Sequence, residues 1–101
     1  MRTVTTTVLE SSPLTVRELA RAVGAEDQWV LRLVEVEILH VDTPTEPPER
    51  WHFRSDDLKR ALAARRLERD FGANLDTAAL ILDLQSELHH LRALMGAHGV
   101  A

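Results

Sequence analysis

The chain has no cysteine, which rules out a disulfide framework and a thiolate metal site. No apolar run approaches the length that crosses a bilayer. The opening residues MRTVTTTVLESS hold one arginine, four threonines and no continuous apolar core, so no secretory signal is expected. A phosphate-cradling glycine loop and a Gly-x-Ser-x-Gly elbow are missing as well. With no nucleophile or cofactor cradle to assign, we read the chain as a non-enzyme without a cofactor, compatible with the cytoplasm. Internal repeats and low-complexity segments are absent. What is there suits one small domain: 101 residues, 45% hydrophobic and 28% charged, enough apolar matter for a modest core.

Basic charge is scarce where a reader of nucleic acid needs it. The formal net charge is −4, and its distribution is uneven. Between Leu14 and Leu58 ten acids face five arginines, whereas from Lys59 onward six bases face five acids. The N-terminal half is the acidic one, which weighs against a protein whose main task is to neutralise phosphates.

Residues 1–13 carry Thr and Val without helical period and read as an N-terminal arm or a first strand. Thr15-Val16-Arg17-Glu18 is a capping-box pattern, so a helix is expected from Val16, with Val16, Leu19, Ala20 and Val23 inward and Gly24 as its stop. A second helix follows from about Asp27 to Val36, burying Val30, Leu33 or Val34 and one face of Trp29. Helix, tight glycine turn, helix is the pattern of a helix-turn-helix. Ile38 to Val41 reads as extended, the three prolines Pro44, Pro47 and Pro48 exclude helix, and Arg50 to Arg54 reads as a returning strand. Together they predict a two-stranded wing, with Trp51 and Phe53 packing its apolar side on the domain.

Ser55-Asp56-Asp57 is expected to start a third helix, with Leu58, Ala61, Leu62, Leu67 and Phe71 on its apolar face and Arg65, Arg66 and Arg69 toward solvent. Gly72 stops that helix and Asn74 caps the next. From Leu75 onward Ile81, Leu84, Leu88, Leu91 and Met95 recur at spacings of three, four, three and four, the seam of a short coiled coil that asks for a partner helix. A homodimer through these five residues is therefore expected. Glu87-Leu88-His89-His90 contains one Glu-x-x-His spacing, but bundle di-iron sites need two copies and two more carboxylates, and His89 and His90 diverge by about 100° on a helix. No metal site is expected.

The order helix-turn-helix, wing, helix, Asp-Phe-Gly corner, long seam-bearing helix resembles the MerR family of winged-helix regulators from about Leu14 to Met95. Leu14 to Ala20 resembles that family's opening helix, and Arg69-Asp70-Phe71-Gly72 its corner. Trp51-His52-Phe53, the run Arg65 to Leu75, and Ala78 to Leu84 resemble a subgroup, the chaperone modulators of CbpM type. The resemblance implies a small homodimer that binds the J-domain of a DnaJ-like, CbpA-type co-chaperone and inhibits its stimulation of Hsp70. The second helix departs from a DNA-reading MerR protein: it and its exit carry Glu26, Asp27, Glu35 and Glu37, with Arg32 the only base.

J-domains of this group are expected to present a basic helix, so two acidic faces are candidate partner sites. One is the second helix with Asp27, Glu35, Glu37 and Trp29 as an aromatic anchor. The other lies on the last helix, where Asp76, Asp83 and Glu87 stand at offsets of seven and four beside Leu80. Either set also reads as ordinary solvated surface, and Trp29 as core. The expected organisation is an arm over 1–13, a winged helix-turn-helix with its third helix over 14–71, and a dimerisation helix with tail over 72–101. The fold expected is a mainly α, MerR-like winged helix-turn-helix with a long coiled-coil-like dimer helix. Its function is read as occlusion of the J-domain, with a MerR-type DNA-binding regulator as the alternative and a bare dimerisation module as a third reading.

Overall fold

In a computed structural model, residues 13–97 are described. Four helices make the fold: α1 (Val16–Val23), α2 (Asp27–Glu35), α3 (Ser55–Phe71) and α4 (Leu75–Ala97), with one 3-10 turn at Pro48–Arg50. The arm expected over 1–13 lies, Pro13 apart, outside the described residues, as does the tail after Ala97.

The start of α1 follows its sequence pattern. The Glu18 amide donates to Thr15 Oγ1 at 3.2 Å and the Thr15 amide donates to Glu18 Oε1 at 2.9 Å, satisfying two amides that an uncapped helix leaves open. Val16, Leu19, Ala20 and Val23 are buried, and Gly24 ends the helix at φ 70°, a left-handed conformation that glycine adopts without a Cβ clash. From α2, Val30 and Leu33 enter the same core while Trp29 and Val34 are half-buried.

The helix-turn-helix is joined by Ile38, Leu39 and Phe53, all buried. Here the two-stranded wing does not form: among the described residues there is no strand, and the extended backbone pairs only once, between Leu14 and Phe53. Each of these two donates its amide to the other's carbonyl at 2.7 Å. The reason lies in the amides of Ile38 and Leu39, which donate back to the Leu33 carbonyl at 2.8 and 3.1 Å as a continuation of the α2 exit. They are no longer available to a ladder. Trp51, half-buried, donates from Nε1 to the Thr43 carbonyl at 3.1 Å and ties down the proline loop.

The α3 helix starts one residue earlier than its hydroxyl suggested. Arg54 is the N-cap and its amide donates to Asp57 Oδ2 at 2.8 Å, so Ser55 is the first helical residue. Leu58, Ala61 and Ala64 are the buried residues of α3. Leu62 and Phe71, expected on that face, are exposed: the buried row at spacings of three turns Leu62 outward, and Phe71 stands at the corner where the chain leaves α3. Gly72, at φ 65°, makes that corner, with its amide on the Glu68 carbonyl at 3.0 Å. Asn74 Oδ1 accepts the Thr77 amide at 2.8 Å and opens α4.

Only the first two turns of α4 belong to the core. Leu75, Ala78 and Leu82 are buried, and every residue from Asp83 to Gly96 is exposed. At ~1.5 Å per residue α4 is about 35 Å long against about 25 Å for α3, so its last turn or two outrun the helix that it packs on.

Candidate functional site

Two opposite faces of α4 are apolar. Leu75, Ala78 and Leu82 face the core, whereas Leu80, Leu84, Leu88, Leu91, Leu94 and Met95 are 45–60% exposed. Leu82 and Leu84 are two residues apart, which on a helix separates them by about 200°, so the outer stripe lies on the far side of α4 from α3. Of the five expected seam residues, Leu84, Leu88, Leu91 and Met95 stand on that stripe, and Ile81 is half-buried at its edge. Soluble helices do not normally leave such a row uncovered.

The acids of α4 divide into two kinds. Asp83 accepts from Arg60 Nη2 at 3.0 Å. The same guanidinium donates from Nε to the Ile38 carbonyl at 2.7 Å and from Nη1 to Ser86 Oγ at 3.3 Å. Arg60 is thus a brace joining α3, α4 and the exit of α2, and Asp83 belongs to that brace. The ion pair itself contributes little, because Asp83 is largely exposed; the bond to the Ile38 carbonyl matters more, since that carbonyl follows a turn held against the core. Asp76, Leu80 and Glu87 are exposed on the outer flank, as their spacing implied.

On α2, Trp29, read as either core or an aromatic anchor, is a joint between helices. Its Nε1 donates to Glu68 Oε1 at 2.8 Å, and the Arg65 guanidinium sits 5.6 Å from its ring centroid. Arg65 also donates to the Gly24 carbonyl at 3.0 Å and lies 3.9 Å from Glu68. With its polar edge occupied and one face covered, half-buried Trp29 fastens α2 and α3. Asp27 pairs with Arg17 at 3.5 Å, and Glu35 with Arg32 at 2.9 Å. Glu37 is exposed and takes a left-handed backbone, φ 65°, the only non-glycine among the described residues to do so. The two acidic faces meet at Arg60, which grips the carbonyl next to Glu37 and the carboxylate of Asp83 at once. Sequence reasoning counted Arg60 only as charge and took Glu68 as a neighbour for the Arg65, Arg66 and Arg69 cluster, which Arg65 bears out at 3.9 Å, without foreseeing its bond to Trp29.

Two grooves flank these faces. One, of about 820 Å³, runs between α3 and α4 past Lys59, Arg60, Ser86, His89 and His90. The other, of about 480 Å³, lies between α1, α2 and the 3-10 turn, lined by Thr15, Val16, Arg17, Asp27, Leu31, Pro48 and Glu49. Among the described residues no three His, Asp or Glu side chains converge as a metal cluster, and no helix is long and apolar enough to cross a membrane.

Comparison with known proteins places likenesses beside this geometry. The model of the MerR HTH family regulatory proteins matches residues 14–95. The chain is 33% identical over 81 residues to the chaperone modulatory protein CbpM of Coxiella burnetii strain Dugway, covering 80% of this chain and 74% of the relative. The same figures hold for the protein of that name in the Henzerling II strain. No solved structure matches.

Proposed function

Because the chain belongs to the MerR helix-turn-helix family and, within it, to the CbpM-type chaperone modulatory proteins, we propose that it modulates a chaperone by binding a partner protein rather than DNA. The partner is the J-domain of a DnaJ-like co-chaperone, and the effect is occlusion: while this protein covers the J-domain, Hsp70 cannot engage it. The observation that carries this reading is the likeness to CbpM across four-fifths of the chain. The charge of the helix-turn-helix supports it. Around α2 the exposed charges are Glu26, Glu35 and Glu37 against Arg32, which is already paired with Glu35; an acidic surface repels a polyanion and attracts a basic domain.

The working form is a homodimer through the outer stripe of α4, with Leu84, Leu88, Leu91 and Met95 as the buried seam and Ile81 at its edge. A second copy suits this stripe because its length and spacing match another helix of the same kind. The second reading, a DNA-binding regulator, is favoured by the helix-turn-helix geometry alone, and Arg65 works against it, being spent on Trp29, Glu68 and the Gly24 carbonyl. Isothermal titration against the isolated J-domain of the host's DnaJ-like protein tests the proposal, with an unrelated basic protein as control. Saturable heat with the J-domain alone is expected. Absence of heat, together with retention on heparin at low salt, would return the DNA-binding reading to first place.

A further inference from the structure

The groove between α1, α2 and the 3-10 turn has an apolar floor and an acidic rim. Val16 is buried beneath it and Leu31 and Pro48 are half-buried along it. Asp27 and Glu49 stand on its edge, and Glu26 continues that edge through the shallow neighbouring cleft of Arg17, Glu26, Asp27 and Gln28. Arg17 is the one base, and Asp27 already balances it at 3.5 Å. Neither Glu26 nor Glu49 makes an ion pair among the described residues. The rim therefore presents uncompensated negative charge around exposed carbon, and at about 480 Å³ the groove falls within the usual range of recognition clefts, roughly 300–1,000 Å³.

We propose that this groove is the partner's seat and that it takes a basic protein segment carrying one apolar side chain, the carbon entering between Val16, Leu31 and Pro48 while lysine or arginine meets Glu26 and Glu49. The inference rests on the reading of the chain as a partner-binding modulator and assigns that partner a surface. Charge decides the occupant. A second copy of this chain would bring more acid to an acidic rim, whereas a basic segment is the electrostatic complement. Length agrees: the groove spans the start of α1, α2 from Asp27 to Leu31 and two residues of the 3-10 turn, too short for a long helix. The outer stripe of α4 has the opposite character, long and apolar, and is left to self-association. The two surfaces lie on different elements, so the dimer would present two such seats.

The test is titration of the intact protein with the J-domain, comparing the unaltered chain with the double variant Glu26→Lys, Glu49→Lys and with Asp76→Lys, Glu87→Lys on α4. The groove variant is expected to lose at least tenfold in affinity and the α4 variant to stay within about twofold, each with an unchanged thermal melt. Hydrogen exchange on the unaltered protein gives a second measure that no folding defect can mimic: amides of residues 15–17, 28–31 and 49–51 should slow when the J-domain is added. If the unaltered chain binds but the groove variant binds equally well, or protection falls on α4 instead, the inference is overturned and the modulator reading stands. If the unaltered chain gives no heat, both fall together.

Discussion

Glu37 holds a left-handed backbone that glycine would hold without a steric penalty. Its turn is fixed from both sides, by the Ile38 amide on the Leu33 carbonyl and by Arg60 on the Ile38 carbonyl. Glu37→Gly should therefore raise stability by roughly 0.5–1 kcal/mol, read as a higher urea midpoint at an unchanged slope; a lower midpoint would mean that the carboxylate itself supports the turn. Arg60→Met acts in the other direction. It removes the side-chain donor on the Ile38 carbonyl, and a loss of about 1–3 kcal/mol is expected in the same titration, against no more than ~0.5 kcal/mol for Asp83→Asn, whose carboxylate is solvated. Equal losses from the two variants would shift the weight of the brace to the ion pair. The Thr15–Glu18 box and the Gly24 stop were legible in the sequence because their partners lie three or four residues apart. Arg60 was not, since its acceptors are 22, 23 and 26 residues away and such a pairing leaves no periodic trace.

Among the elements, α4 was the best read and the wing the worst, for one physical reason. Helical period survives whatever packs on it, so the spacing of Leu84, Leu88, Leu91 and Met95 announced an uncovered row that the structure does leave exposed. The inward row Leu75, Ala78 and Leu82 lay hidden in the same apolar stretch. A hairpin depends on which amides are still unclaimed, and those of Ile38 and Leu39 are claimed by Leu33, a fact that alternation of side chains does not carry. The two faces of α4 give a paired prediction. Leu88→Asp should halve the mass in light scattering while the circular dichroism spectrum of the remaining fold is kept, because a seam cannot solvate a carboxylate but a monomer can. Leu82→Asp should unfold the chain outright, costing more than about 3 kcal/mol, since it buries that carboxylate against α3. A Leu88→Asp variant of unchanged mass would move the dimer interface off α4.

The molecule as a whole has a compact end, where α1, α2 and the start of α4 close on α3, and a projecting end, α4 from Asp83 to Gly96, which is exposed and held to its own chain along one side by Arg60 on Asp83 and Ser86. The acidic candidate sites straddle the two: Asp27, Glu35 and Glu37 stand on the first, Asp76, Asp83 and Leu80 near the junction, and Glu87 on the projection. That projection is the feature with the widest consequence. Fourteen exposed residues, from Asp83 to Gly96, make a helix no longer than the ~12–15 residues at which isolated helices are marginal in water. In the homodimer proposed above, its backbone order, at ~1–2 kcal/mol per residue, would be underwritten from outside the monomer, and helix content would become a function of concentration. Dilution through the dimer's dissociation constant should lower the ellipticity at 222 nm without melting the compact end, and a signal flat across that range would show the projection to be ordered on its own. The distal turns of α4 would then act as a gauge of the protein's own abundance, stiff when copies are plentiful and slack when they are few.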